Sequence, residues 1–269
     1  VSNAARGISE SDLRRRLPIE SNDEIGGLTQ TFNDLLDRLE RAFVAQRRFI
    51  DDAGHELRTP ITIIQGQLEL LSDDPDERQK SLHIVMDELD RMSRFVGDLL
   101  LLARAERPDF LNLDTVDVTT LTEELHMKAT ALGDRRWTLD AVGKGRIVAD
   151  RQRVTQAIMQ LAQNAMQHSG ADSAIAIGSE LQNGSARFWV DDNGSGIPLA
   201  EQDQIFERFH RSSEGRTRSE GGGLGLSIVK AIAEAHHGGV EVESRPGAGT
   251  KFVITLPVDQ PEPTAEDGA

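Results

Sequence analysis

Two long apolar stripes, joined by a short breaker, constrain this chain more than any other feature. The first passes through Leu28, Phe32, Leu35 and Leu39, in steps of four, three and four that mark one face of a helix. It continues through Phe43, Gln46, Ile50, Ala53, Leu57, Ile61, Ile64, Leu68 and Leu71, so one long helix, or two joined end to end, runs through it. Two successive four-residue steps occur around Leu39 and again around Leu57, and such insertions locally unwind a coiled coil. The helix is expected to stop at Ser72 to Pro75. There Asp74 can cap a second helix, Pro75 suits its first position and Glu77 completes a capping box. The second stripe, Leu82, Val85, Leu89, Met92, Val96, Leu99 and Ala103, alternates three and four without a break. An antiparallel α-helical hairpin follows. Two helices bury only one seam, so the hairpin is expected to form a dimeric four-helix bundle whose seam includes Leu57, Ile64, Leu89 and Val96.

The periodicity ends at Arg107, Pro108 and Asp109, and a domain boundary is expected there. From about Leu111 to Val258 helical patterns (Thr120 to Ala131, Gln152 to His168, Leu224 to His236) alternate with strand-like runs (Ile175 to Ile177, Arg187 to Val190, Gly239 to Glu243, Phe252 to Leu256). That texture predicts an α/β sandwich. The tail from 259 to 269 is rich in Pro and acid and is expected to be disordered. With 269 residues the chain has room for such a division, and its 38% hydrophobic and 28% charged content suits soluble helices and sheets. A net charge of −15 argues against nucleic acid as a partner, because phosphate backbones repel an acidic surface. Cysteine is absent, which excludes disulfides and thiolate metal sites. No run approaches the roughly 18 apolar residues needed to span a bilayer.

Chemistry concentrates first in Phe49-Ile50-Asp51-Asp52-Ala53-Gly54-His55-Glu56-Leu57-Arg58-Thr59-Pro60. His55 lies two residues from both Ala53 and Leu57, hence about 200° round the helix from each, and faces water. An exposed imidazole can act as a nucleophile. Glu56 can hold its tautomer or accept its proton. Thr59 shares the face of His55, and Pro60 crowds the carbonyl of Glu56 and is expected to kink the helix. A surface His on a charged helix is ordinarily just solvated. The surrounding string decides otherwise: it resembles the H-box of sensor histidine kinases, His-Glu-Leu-Arg-Thr-Pro, at all six positions. The resemblance implies that His55 is the phosphorylated residue, Glu56 its general base and Thr59 a residue used in dephosphorylating the partner. Gly54 departs from the Ser usual before the His.

Five further clusters follow in order. Helix Val154 to His168 carries Gln160, Asn164, Gln167 and His168 on a polar stripe opposite Val154, Ile158, Leu161 and Ala165. Ordinarily a solvated face, it resembles the N-box, which implies that Asn164 coordinates Mg²⁺ bridging the phosphates. Gln160 stands where a second Asn is common, and Gln167 with His168 where Lys or Arg followed by Tyr is common, so one phosphate-binding charge is missing. Phe188, Trp189 and Val190 lead into Asp191-Asp192-Asn193-Gly194-Ser195-Gly196-Ile197-Pro198. A carboxylate ending a buried strand can accept a hydrogen bond from an exocyclic amine beside glycines that admit an adenine. An Asp-capped structural turn fits that string alone equally well. It resembles the G1 box, with Asp192 reading the adenine and Gly194, Gly196 and Ile197 beside it.

Ile205-Phe206-Glu207-Arg208-Phe209 resembles the F-box, and the polar segment from His210 to Glu220 resembles a mobile lid. In Gly221-Gly222-Gly223-Leu224-Gly225-Leu226 the glycines enter a helix whose first amides can hold phosphate oxygens, although such a loop can equally serve packing. It resembles the G2 box, implying nucleotide contacts at Gly221, Gly223, Leu224, Gly225 and Leu226. Gly247-Ala248-Gly249-Thr250 resembles the last glycine box, with Thr250 at the nucleotide. Residues 1–42, with Asp23-Glu24-Ile25-Gly26 before an amphipathic helix, are similar to the second half of a HAMP signalling module.

The resemblance covers essentially the whole chain. It implies a HAMP remnant and linker helix at 1–42, a dimerisation and phosphotransfer hairpin at 43–107 and a Bergerat-type ATP-binding domain at 111–258. The implied activity uses ATP and Mg²⁺ to phosphorylate His55 and passes the phosphoryl group to the receiver domain of a response regulator. A homodimer is implied, as the cytoplasmic portion of an inner or plasma-membrane protein whose membrane part lies outside this sequence. Other ATPases with these nucleotide boxes (chaperones, topoisomerase subunits, anti-sigma serine kinases) lack the hairpin bearing His55. A non-catalytic dimeric scaffold is the competing reading from another class, suggested by Gln160 and Gln167.

Overall fold

The computed structural model describes residues 16–18, 24–105, 107–210 and 222–259. The described chain contains six helices and seven strands, and divides into two compact units that meet within one helix, between Val85 and Met86.

In the first unit, helix α1 (Glu24–Glu69) is a single 46-residue helix that runs on through Pro60. Of the two forms its stripe allowed, one continuous helix is therefore the one adopted. At its start the segment 16–18 is fastened to it: Leu17 N–H donates to Asn33 Oδ1 at 2.9 Å, and Asn33 Nδ2 donates back to Leu17 O at 3.0 Å. Arg16 reaches Asp37 and Glu40 on the same face. Asp23 of the HAMP-like string lies outside the described residues. Helix α2 (Pro75–Arg104) begins with the expected Pro, and Asp74 Oδ1 accepts the N–H of Asp76 at 2.9 Å. The other half of the expected capping box is made differently. The Asp74 N–H donates to Ser72 Oγ at 3.1 Å, so Ser72 does what was expected of Glu77.

The second unit takes in the rest of α2, whose Phe95, Leu101 and Leu102 are buried, while Leu89 and Val96 of the expected seam are exposed. The helix thus carries two apolar faces, where the heptad pattern marked one. Strands β1 (Asp114–Asp117) and β3 (Arg146–Ala149) form a small antiparallel ribbon. The main sheet has the order β2 (Arg136–Leu139), β4 (Ala174–Gln182), β5 (Ser185–Asp192), β7 (Gly249–Pro257), β6 (Gly239–Arg245). Only β2 and β4 are parallel; the remaining pairs are antiparallel.

Helices α3 (Val118–Thr130), α4 (Arg151–His168) and α6 (Gly225–Ala235) pack on this sheet and on each other. A short turn of helix, α5 (Leu199–Gln202), follows β5. The core is the layer between helices and sheet. Leu121, Leu125, Ile158, Leu161, Ile228 and Phe188 are all at most 1% exposed, each burial contributing roughly 1.5–3 kcal/mol. The expected strands are present with longer ends. The ribbon strands β1 and β3 and the edge strand β2 were not legible, because each has four residues and β2 is mostly solvent-facing.

The end of α6 is a Schellman turn: His237 N–H donates to Glu234 O at 2.9 Å and Gly238 N–H to Ala233 O at 2.9 Å. The left-handed position of that turn, φ 55°, is taken by His237, and glycine would occupy it without a Cβ clash. His237 is exposed, so its side chain offers little packing in return. His237→Gly is expected to stabilise the second unit by about 1 kcal/mol, raising its melting temperature by roughly 2–4 °C in a calorimetric scan. An unchanged or lower melting temperature would show that the backbone there carries no strain.

Candidate active site

His55 is exposed on α1, Glu56 is half-buried next to it, and Thr59 is exposed one turn further on. Pro60, after them, is buried. A shallow groove of about 570 Å³ runs along this face, lined by His55, Arg58, Thr59, Thr62, Ile63 and Gly66 among others. Periodicity alone placed His55 and Thr59 on a shared face, and the groove lies along it.

The second unit gathers the other boxes at one end of its sheet. Alternation along β5 sends Ala186, Phe188, Val190 and Asp192 to the helix-covered face, and β7 does the same with Thr250, Phe252, Ile254 and Leu256. Antiparallel register pairs Asp192 with Thr250. Both side chains therefore end the same buried face, at 7% and 5% exposure. Asp192 Oδ1 accepts the N–H of Gly194 at 2.7 Å, turning the chain sharply. Burial lifts the Asp192 carboxyl to about 6, from 3.8; the backbone N–H groups of Gly194 and Thr250 oppose that rise, and the charge of Asp191 adds to it.

At its glycines the turn after Asp192 leaves no room for a Cβ. A Cβ on Gly194 would stand 2.4 Å from His168 O, which ties the G1-like turn to the end of α4; Ser195 N–H also donates to that carbonyl, at 3.3 Å. A Cβ on Gly249, at φ 90°, would stand 1.9 Å from Asp192 O. Ser244 fastens the remaining parts. Its Oγ accepts from Ile197 N–H at 2.8 Å, donates to Gly249 O at 2.8 Å and lies 2.9 Å from Thr250 Oγ1. Ser244 was not singled out in the sequence; its position five residues before Gly249 on a neighbouring strand gave no local signal.

On α4, Gln160 and Asn164 are half-buried, and Gln167 and His168 are exposed. Gln160 Oε1 lies 3.0 Å from where a Cβ on Gly225 would stand, so the N-box-like helix meets the start of α6. Leu224, 2% exposed, precedes α6 without any side-chain cap, which leaves the first amides of that helix to other acceptors. Gly225 and Leu226 are half-buried there. Phe209 is held at φ 62°, its N–H donating to Gly223 O at 3.0 Å, and its ring centroid is 6.4 Å from that of Phe95 on α2. Gly221 and the lid-like residues 211–220 lie outside the described residues.

This geometry can be set beside known proteins. Residues 1–41 match the HAMP domain, residues 45–108 the His Kinase A (phospho-acceptor) domain, and residues 149–260 the Histidine kinase-, DNA gyrase B-, and HSP90-like ATPase family. The chain belongs to the sensor histidine kinases.

Among similar proteins, TcrY of Mycobacterium tuberculosis is 37% identical over 253 residues, covering 89% of this chain and 53% of TcrY. The signal transduction histidine-protein kinase ArlS of Staphylococcus epidermidis is 33% identical over 270 residues, 96% of this chain and 59% of ArlS. The crystal structure of histidine kinase ThkA in complex with response regulator protein TrrA is similar at a TM-score of 0.66 and 26% identity, over 85% of this chain and 66% of that one. The chain thus spans between half and three-fifths of the length of those two curated relatives. As in other histidine kinases, a helical hairpin precedes a mixed α/β ATPase domain, the fold expected from the stripes and boxes. The chaperone and topoisomerase alternatives give way, since the phospho-acceptor match covers the hairpin.

Asp192 is a costly residue for the fold of this kinase. A carboxyl whose folded value is raised binds its proton more tightly folded than unfolded, so stability is lost as pH rises from 3.8 through about 6. Above that window the buried charge costs about 3 kcal/mol. Asp192→Asn is therefore expected to raise the melting temperature at pH 7.5, with the gain vanishing by pH 4. A variant less stable than the unmodified protein at pH 7.5 would show that the carboxylate is instead a net stabiliser.

Proposed function

We propose that this protein is an ATP-dependent protein-histidine kinase that phosphorylates its own His55. The phosphoryl group then passes to an aspartate on the receiver domain of a response regulator, and Thr59 serves the reverse task of dephosphorylating that partner. The observation that carries this reading is the pairing, in one chain, of an exposed His55 inside a complete His-Glu-Leu-Arg-Thr-Pro string with a buried carboxylate at a glycine-framed strand end. A scaffold without catalysis would need neither.

The nucleotide is the substrate, and the residues fit it. Asp192 is an acceptor suited to the exocyclic amine of adenine, beside Thr250, Gly194, Gly196 and Ile197. The uncapped amides entering α6 at Gly223 to Leu226 suit phosphate oxygens, with Gln160 beside Gly225 and Gln167 and His168 further along α4. Among the described residues no cluster of three acidic or histidine side chains could hold a metal by itself. Where Mg²⁺ is bound, the Asn164 side-chain amide would help to hold it. Mg²⁺ supplies charge neutralisation on the transferred group.

In the reaction an imidazole nitrogen of His55 attacks the γ-phosphorus, a P–N bond forms as the P–O bond to ADP breaks, and Glu56 takes the displaced ring proton. The groove along His55, Thr59 and Thr62 is open enough for an acidic receiver site to approach. That a similar kinase, ThkA, is in complex with a response regulator supports this partner. A homodimer follows from the exposed apolar residues of the hairpin, among them Ile61, Leu68, Leu89 and Val96, which water would otherwise contact. The HAMP match supports a place on the cytoplasmic side of a membrane-anchored receptor. Among the described residues no helix is long and apolar enough to cross a membrane.

Incubation with γ-labelled ATP and Mg²⁺ is expected to label the chain with an acid-labile, base-stable phosphate, and His55→Gln to abolish labelling while ATP binding persists. Normal labelling of that variant would exclude His55 as the acceptor. Thr59→Ala, which spares His55 and Glu56, is expected to autophosphorylate normally and to slow decay of the phosphorylated regulator in the presence of ADP. Decay at the unmodified rate would remove Thr59 from the mechanism.

A further inference from the structure

Helices α4 and α6 lie side by side, and two contacts set their direction. At one end Gln160 meets the first residue of α6, Gly225. At the other, Asp150, which caps α4, donates its backbone N–H to Nε2 of His236, the residue that closes α6, at 3.0 Å. The helices are therefore antiparallel. From Asp150 to Gln160, and from Gly225 to His236, each strut is about 15 Å long at 1.5 Å per residue. They form a frame held by a hydrogen bond at one end and in close contact at the other.

The lower pin is built with no spare valence. His236 is 0% exposed, and its Nδ1 stands 2.8 Å from Ile232 O. A carbonyl only accepts, so Nδ1 carries the proton and Nε2 is left as the acceptor that Asp150 N–H requires. Asp150, 6% exposed, spends its carboxylate in two directions. Oδ1 accepts from Arg153 N–H at 3.0 Å to cap α4, and Oδ2 accepts from Asn112 N–H at 2.9 Å, in the segment that precedes β1. One buried pair thus joins that segment, the start of α4 and the end of α6.

We infer that His236 is a positioning residue for the nucleotide phosphates: by pinning α6 to the start of α4 it sets the axial register of the α6 amides against Asn164. This rests on the reading of those groups as the phosphate and metal side of the site. The adenine side does not hang on α6, since Asp192 is fixed by the pairing of β5 with β7 and its turn by the end of α4. Loss of the pin should therefore weaken phosphate contacts selectively. A histidine that merely filled the core would, when replaced, reduce binding of every ligand alike.

Two variants separate the ring's two bonds. His236→Asn keeps a donor toward Ile232 O and removes the acceptor of Asp150 N–H; His236→Gln carries an oxygen that reaches Asp150 N–H. Calorimetric titration of the full chain with Mg-ATP and with adenosine, at a temperature where circular dichroism shows each variant folded, is expected to show roughly tenfold weaker Mg-ATP binding for His236→Asn. Adenosine binding should be unchanged, and His236→Gln should recover most of the loss. Equal weakening of both ligands, or none, would overturn the inference.

The unmodified protein provides a test that needs no variant. Coupling is reciprocal, so Mg-ATP is expected to slow hydrogen exchange at the Asp150 amide while adenosine does not. Unchanged exchange under saturating Mg-ATP would overturn the inference even if the variants failed to fold. Failure of the unmodified chain to bind Mg-ATP at all would instead overturn the reading of the site.

Discussion

The register of β5 against β7 is the constraint on which the nucleotide side of this kinase depends. It sets Asp192 opposite Thr250 and stacks Gly249 under the Asp192 carbonyl, so that two segments far apart in sequence make one corner. A shift of one residue would send Asp192 to the other face of the sheet and Asp191 into the core. Asp191 stands on the opposite face, where Lys251 counters its charge. The two adjacent carboxyls thus have different surroundings because strands alternate. Phe188 and Phe252, both buried on the helix side, hold that register by making any slip expose large apolar area.

Much of this was legible in the sequence because it was written locally. The stripes of α1 and α2, the Pro75 start and the exposed face of His55 are short-range patterns, and the order of glycine boxes gave the second domain. What escaped was non-local. Ser244, His236 and Asp150 act through partners dozens of residues away, and none of them sits in a string that differs from ordinary strand or helix ends. The buried face of α2 escaped for another reason. Phe95 and Leu102 lie beside the heptad stripe, and periodicity reports which residues are apolar without saying what each face meets.

That second face gives α2 two kinds of partner within its own length. Its exposed stripe, with Leu89 and Val96, is suited to another helix, whereas Phe95 lies against the ring of Phe209 in the ATPase unit. Near it is Asp98, lifted to about 6 by burial against the opposing pull of Arg94. Asp98 is half-buried one turn from Phe95, and a carboxyl raised by burial lowers the stability of its surroundings when charged. On the proposed function, a weaker junction would suit an ATPase domain that serves His55 and then leaves it free.

The same logic runs through the nucleotide corner. Phe209, a bulky residue at φ 62°, and Asp192, a carboxylate buried at the end of a core strand, are both unfavourable choices for stability alone. Each is surrounded by features that hold it in place: the Gly223 carbonyl for one, the Gly194 and Thr250 amides for the other. A residue that weakens the fold and is nevertheless braced on several sides is better explained by a ligand than by packing. On the proposed reading, the ligand that relieves the cost would offer Asp192 a donor, as the amine of adenine does. Binding would then return stability that the buried charge costs, so occupancy of the corner and firmness of the sheet end would be linked through a single carboxylate.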